Sequence, residues 1–321
     1  MQSYPFKQVD VFTATPYFGN PLAVVMNVGA ELLESSMQRF ANWTNLSETA
    51  FILPPTDELA DYSVRIFTPG SELPFAGHPT LGSCHAWLEA GGKPRNKDFI
   101  VQECKVGLVK IRHASGAPGA AGVADAPDRL AFAAPPLKRT VPNPLLLAQV
   151  AAALGLKAAQ ITAAQMLDNG PVWLGLLLDN PETVQRLMPN NLELIKNDVK
   201  VGVAAFYLEG AAPALIGRAN REARAFGNTP AAAGGGAAVN PNIEVRAFAP
   251  GIGINEDPVT GSLNASLAQW LIADDYAPAR YVASQGVCLG RAGLVYLERD
   301  ASGQVWVGGE TVTCIDGCVT L

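Results

Sequence analysis

Apolar and polar residues alternate with a period of two along much of the chain, and runs with helical periodicity are few. Gln8-Val9-Asp10-Val11-Phe12-Thr13 reads as a half-buried strand, and Phe18-Gly19-Asn20-Pro21 as a turn before the strand Leu22-Ala23-Val24-Val25-Met26. Residues 31–42 carry Leu32, Leu33, Met37 and Phe40 at the spacing of one helix face. Strands are expected at 49–53, closed by Pro54-Pro55, at 61–67 and at 106–112. Residues 114–136 are rich in Ala, Gly and Pro and read as loose loops, with a domain boundary near 130. Beyond it, 144–154 and 181–188 have helical patterns, 171–178 and 201–208 read as strands, and alternation returns at 293–297 and 304–308. Residues 209–242 include Ala231-Ala232-Ala233-Gly234-Gly235-Gly236, a tract whose backbone is costly to fix and which is expected to be a mobile loop. Strand-rich halves with few helices, 1–130 and 131–321, make an α+β protein rather than a regular βαβ one.

One arrangement occurs twice. Arg65-Ile66-Phe67-Thr68-Pro69-Gly70 is followed by Glu72 and by Gly77-His78-Pro79-Thr80-Leu81-Gly82-Ser83. Arg246-Ala247-Phe248-Ala249-Pro250-Gly251 is followed by Glu256-Asp257-Pro258-Val259-Thr260-Gly261-Ser262. Each unit is a strand, a Pro-Gly turn, an acidic residue and a Gly/Thr/Ser segment opening a helical pattern. Two related halves would bring two helix N-termini together, and free N–H groups there attract anions.

Composition narrows the possibilities. With 321 residues, 49% hydrophobic and 16% charged, the chain can bury ordinary cores in two domains. A net charge of −6, with no run of Lys and Arg, disfavours nucleic acid or an anionic membrane as partner. No apolar stretch reaches membrane-spanning length and the N-terminus lacks a signal-peptide pattern, so a cytoplasmic protein is expected. The five cysteines form no Cys-x-x-Cys pair and only three histidines are present, so no metal site is expected.

Three side chains could carry chemistry. Glu48 precedes an apolar strand; a carboxylate there is commonly exposed, but Leu46, Ala50, Phe51 and Ile52 surround it, and desolvation raises a carboxylic acid toward neutrality. His78 follows Gly77 and offers a proton donor or acceptor, or else an N-terminal cap. Asp257 stands in the corresponding unit, again with capping as the competing role. His85 reads as packed and His113 as surface. Signatures of a serine nucleophile, a P-loop or a dinucleotide fold are absent; Gly251-Ile252-Gly253 lacks the third glycine.

These motifs, with Val9–Thr13, Gly19–Val24, Asn45-Leu46-Ser47-Glu48-Thr49, Gln285-Gly286 and Gly290-Arg291, resemble the phenazine-biosynthesis isomerase family, whose fold is that of diaminopimelate epimerase. The resemblance implies two pseudo-symmetric halves, each a curved sheet around a central helix, with the active site between them and the last strand a candidate to return to the first half. It assigns the acid/base to Glu48, with His78 and Asp257 as catalytic partners. Substrate carboxylate binding falls to Gly77, Gly261 and Ser262. It also implies a homodimer, no cofactor, and a small, unsaturated or cyclic carboxylate as substrate. Epimerases of this fold use one cysteine per half, and this chain has none at the matching places. An amino-acid epimerase and a non-catalytic small-molecule binder are the alternatives.

Overall fold

The computed structural model describes residues 2–29, 31–114, 129–207 and 239–321. Most of the Gly/Ala tract and part of the stretch expected to be loose loops lie outside these residues.

The described strands join one continuous sheet with an internal repeat. In the first half, Ser3–Val11, Asn20–Val25, Thr49–Leu53, Tyr62–Phe67, Ile100–Cys104, Gly107–Ala114 and Arg129–Ala133 follow one another. Their pairings run antiparallel, parallel, antiparallel, parallel, antiparallel, antiparallel. Ile161–Asp168, Val172–Leu178, Lys200–Phe206, Ile243–Ala249, Arg280–Gln285, Gly293–Arg299 and Val305–Gly309 repeat the same order of pairings. The two series meet where Arg129–Ala133 pairs with Val305–Gly309. The chain then exchanges strands. Lys138–Thr140, just past the first series, pairs with Ile161–Asp168, and Thr311–Thr320, just past the second, pairs with Ser3–Val11.

Helices α1 (Glu34–Thr44), α2 (Gly77–Glu89), α3 (Pro144–Leu154), α4 (Pro181–Arg186), α5 (Asn191–Lys196) and α6 (Gly261–Ala273) complete the described fold. α2 and α6 are the central pair. Every α2 residue from Gly77 to Cys84 is buried, as are Leu263–Ala268 of α6, because sheet surrounds each helix. The main core runs through both halves around them, while α3–α5 and α1 cover two smaller apolar clusters on outer faces of the sheet.

Several elements differ from the sequence expectation. α1 begins at Glu34, so Leu33 is its extended N-cap residue and 67% exposed rather than part of the apolar face. Residues 129–133 form a buried strand inside the stretch read as loose, and 161–168, whose Ile-Thr-Ala-Ala-Gln-Met-Leu-Asp lacks alternation, is a strand with half-buried sides. No helix of the described residues is long and apolar enough to cross a membrane.

Candidate active site

The two repeated units meet at one point. α2 starts at Gly77 and α6 at Gly261, and a Cβ built on either glycine would lie 2.9 Å from the Cα of the other. Only a hydrogen at each position lets the first turns touch. Neither helix has a side-chain N-cap, whereas α3, α4 and α5 are capped by Asn143, Asn180 and Asn190. The first-turn N–H groups of α2 and α6 therefore have neither an intrahelical partner nor a capping side chain. Pro79 fits this turn because its missing N–H would have no partner there. The N-cap positions belong to Ala76 and Thr260, so the capping roles considered for His78 and Asp257 do not hold.

Glu48 ends the loop before Thr49–Leu53, and that strand lies parallel to the one opened by Asn20. Asp10 accepts a 2.9 Å hydrogen bond from the Gly19 amide, which fixes the turn ahead of Asn20. Asn20, fully buried, then joins the halves: its Nδ2 donates to Asp257 Oδ1 and to the Val259 carbonyl, both at 2.9 Å, and lies 3.4 Å from His78 Nδ1. Asp257 Oδ2 accepts from Thr260 Oγ1 at 2.6 Å. Gln285 locks this loop, donating to the Asp257 carbonyl and to Thr260 Oγ1 and accepting from the Thr260 amide. On the other side of the cleft, Trp173 Nε1 donates to Ser262 Oγ at 3.3 Å, and Asn169 Nδ2 to the Ser262 carbonyl.

Glu48 Oε2 lies 3.6 Å from His78 Nε2, and neither atom has a hydrogen-bond partner. Burial pushes the His78 imidazole down to about 4, so at neutral pH the pair is a neutral imidazole beside a carboxyl group, not an ion pair. Burial also pushes Glu48 up to about 7, against weaker opposing effects of Ser47 and Lys200. Asp257 is raised too, by burial and then by the charge of Glu48. Two carboxylates sharing an apolar cleft titrate as a pair, each holding the other's proton more tightly.

All six residues singled out from the sequence, Glu48, His78, Asp257, Gly77, Gly261 and Ser262, line one cavity of about 310 Å³. Much of the remaining lining is apolar, including Leu73, Phe75, Pro171, Ile252 and Ile254. His85 packs away from it, its Nε2 3.0 Å from Thr313 Oγ1, and His113 is exposed. Sequence reasoning missed Asn20, Thr260, Trp173 and Lys200 as site residues. Asn20 was absorbed by an ordinary turn, and Lys200 opens a strand with no motif around it. Only the folded repeat marks Lys200: Thr49 pairs with Phe67 and Val201 with Phe248, so Lys200 stands in the second half where Glu48 stands in the first.

The geometry agrees with kinship. A family model for phenazine biosynthesis-like proteins matches residues 9–317. Antisense-enhancing sequence 1 of Schizosaccharomyces pombe is 33% identical, with 99% of each chain covered. The trans-2,3-dihydro-3-hydroxyanthranilate isomerase of Pseudomonas aeruginosa is 29% identical, covering 92% of this chain and 90% of its own. Among solved structures, a Bacillus anthracis phenazine biosynthesis protein of the PhzF family aligns with a TM-score of 0.75 at 20% identity, covering all of both chains. A hydroxyproline epimerase from Agrobacterium vitis shares the fold at a TM-score of 0.56 and 12% identity, covering 99% of this chain and 92% of its own. The chain belongs to the phenazine biosynthesis-like protein family, among enzymes of isomerase type.

Proposed function

We propose that the cleft moves a proton within a small, unsaturated or cyclic carboxylate without a cofactor, with Glu48 as the acid/base. The observation that carries this reading is the pair of buried atoms, Glu48 Oε2 and His78 Nε2, left without hydrogen-bond partners beside two uncapped helix N-termini. The substrate carboxylate sits against the first-turn N–H groups at Gly77, Gly261 and Ser262, where helix dipole and unpaired donors favour an anion. That anchoring holds the reacting carbon near Glu48. The carboxylate of Glu48 takes a proton from a carbon next to the conjugated system, and the electron pair left behind spreads along it toward the substrate carboxylate. Protonated Glu48 then returns the proton at another carbon, so the double bond shifts and no net charge is gained or lost. A group that titrates near 7 serves both steps, being neither too weak a base nor too weak an acid at neutral pH. Neutral His78 orients polar groups of the substrate and offers Glu48 a hydrogen-bond partner once the cleft is filled. Asp257, held by Asn20 and Thr260, does the same from the other half.

No cysteine is among the residues lining the cavity, which argues against a pair of opposed thiols. The test is a screen of small unsaturated and cyclic carboxylates in deuterated buffer with wild type and Glu48→Gln. Isomerisation or deuterium uptake by wild type alone supports the reading. Equal exchange by both proteins removes Glu48 from the chemistry, and binding without exchange in either makes the cleft a binding site only.

A further inference from the structure

Of the lysines in the described residues, Lys7 is buried and Lys200 half-buried, and the others are exposed. A charge taken out of water is normally paired. Lys7 is: its ammonium lies 2.7 Å from Asp316 and 3.2 Å from Glu89. Lys200 has no hydrogen bond or ion pair among the described residues; its ammonium lies 6.0 Å from the Trp173 ring centroid and lines the cavity. Glu48 feels this charge only from a distance, and burial outweighs it.

The repeat explains why the lysine faces the cleft. Thr49 pairs with Phe67 and Val201 with Phe248, and Phe67 and Phe248 are matching positions of the duplicated unit, so Lys200, just before Val201, stands where Glu48 stands before Thr49. The second half thus presents a cation from the side opposite the acid/base. Trp173 spans the interval, since its Nε1 reaches Ser262 Oγ at the start of α6. The cavity has two places for negative charge, the paired helix N-termini and Lys200, with an indole wall between them.

We propose that Lys200 receives a second acidic group of the substrate, which makes the substrate a small dianion, a carboxylate bearing another acidic group at the far end of an apolar frame. This rests on the reading that the helix N-termini hold the first carboxylate. It makes Lys200 a specificity-determining residue.

The test uses benzoate as the one-carboxylate probe and phthalate, isophthalate and terephthalate as probes with a second carboxylate at three separations. Dissociation constants are measured by ligand-detected NMR at low salt for wild type, Lys200→Met and Lys200→Arg. The tightest dicarboxylate is expected to bind wild type about tenfold better than benzoate, as a charge-assisted contact would. Lys200→Met removes that preference while benzoate still binds, which also shows that the variant is folded; Lys200→Arg keeps it. Benzoate bound as well as every dicarboxylate by wild type, or a preference surviving in Lys200→Met, overturns the role of Lys200 while the carboxylate site stands. Failure of all four probes to bind wild type overturns both.

Discussion

Glu48 and His78 meet across the cleft as two neutral-leaning groups: Oε2 and Nε2 are 3.6 Å apart, and burial drives the acid up and the base down. An ion pair would shift both in the opposite senses. The stability consequence has a definite sign. Between the ordinary carboxylate value of 4.5 and about 7, folded Glu48 keeps a proton that the unfolded chain releases, so its contribution to stability falls as pH rises through that window. Glu48→Gln removes this penalty. The variant should match wild type near pH 4.5 and exceed it by up to about 3 kcal/mol near pH 8, read from urea unfolding at both pH values. A difference that does not change with pH would mean that Glu48 is well solvated.

The same variant should lose about 10²–10⁴-fold in proton exchange on any substrate found, the usual weight of one acid/base group. Deuterium uptake by wild type should fall below about pH 7 as Glu48 takes up its proton. A rate that is level from about pH 5 to about pH 8 would assign the proton transfer to another group.

Asn20→Ala should weaken both halves of the site together. Asp257 and the Val259 carbonyl lose a buried donor, a cost of about 1–3 kcal/mol. Because the Asn20 hydrogen bond stabilises ionised Asp257, its loss pushes that carboxyl higher; Asp257 then stays neutral over more of the range, Glu48 releases its proton more easily, and the acidic limb of the rate profile should move down in pH. The paired readout is unfolding free energy and exchange rate against pH; a stability loss with an unmoved profile would confine Asn20 to structure.

Gly77→Ala and Gly261→Ala should each pry the helix starts apart. Each methyl would enter a space where the opposing Cα stands at 2.9 Å, and overpacking of this kind costs about 1–3 kcal/mol. Benzoate affinity should fall in both variants, measured by ligand-detected NMR. Unchanged affinity would place carboxylate binding away from this junction.

Arg65 and Arg246 make the same two-pronged contact, to Glu72 and Glu256, in the two halves. Their surroundings differ: the Arg246 side chain is 6% exposed and also donates to the carbonyls of Val184 and Leu187, whereas that of Arg65 is 26% exposed. Arg246→Met should therefore cost about 3–5 kcal/mol, since it leaves Glu256 and two carbonyls without their donor. Arg65→Met should cost less, because Lys105 still reaches Glu72 at 2.6 Å and keeps that carboxylate paired. Comparable losses in urea unfolding would show that the repeat, not burial, sets the energetics.

The duplicated unit was legible because its parts obey local rules: Arg and Glu on adjoining strands, a Pro-Gly turn, and glycine where two helices touch. Glu48, His78 and Asp257 were legible through that unit and the apolar context of Glu48. Asn20 was not, because its role depends on a residue 237 positions away and its local signature is that of a turn. Ile161–Asp168 was missed for a related reason: its neighbours arrive from Lys138–Thr140 and Val172–Leu178, and half-buried sides leave no alternation to read. The α1 boundary shifted because an extended N-cap at Leu33 overrides an apolar periodicity that runs through it.

The exchanged strands bear on how the chain can fold. Phe6 pairs with Gly317 and Lys7 with Asp316, so the first sheet is closed by residues made some three hundred positions later. Contacts this distant carry a large loop-closure entropy before they return any free energy, and they slow the search for the native topology. On a ribosome the N-terminal half would wait with an open strand edge until residues 311–320 emerge. The first half cannot be finished before the second, and the cleft between them forms only when both are complete.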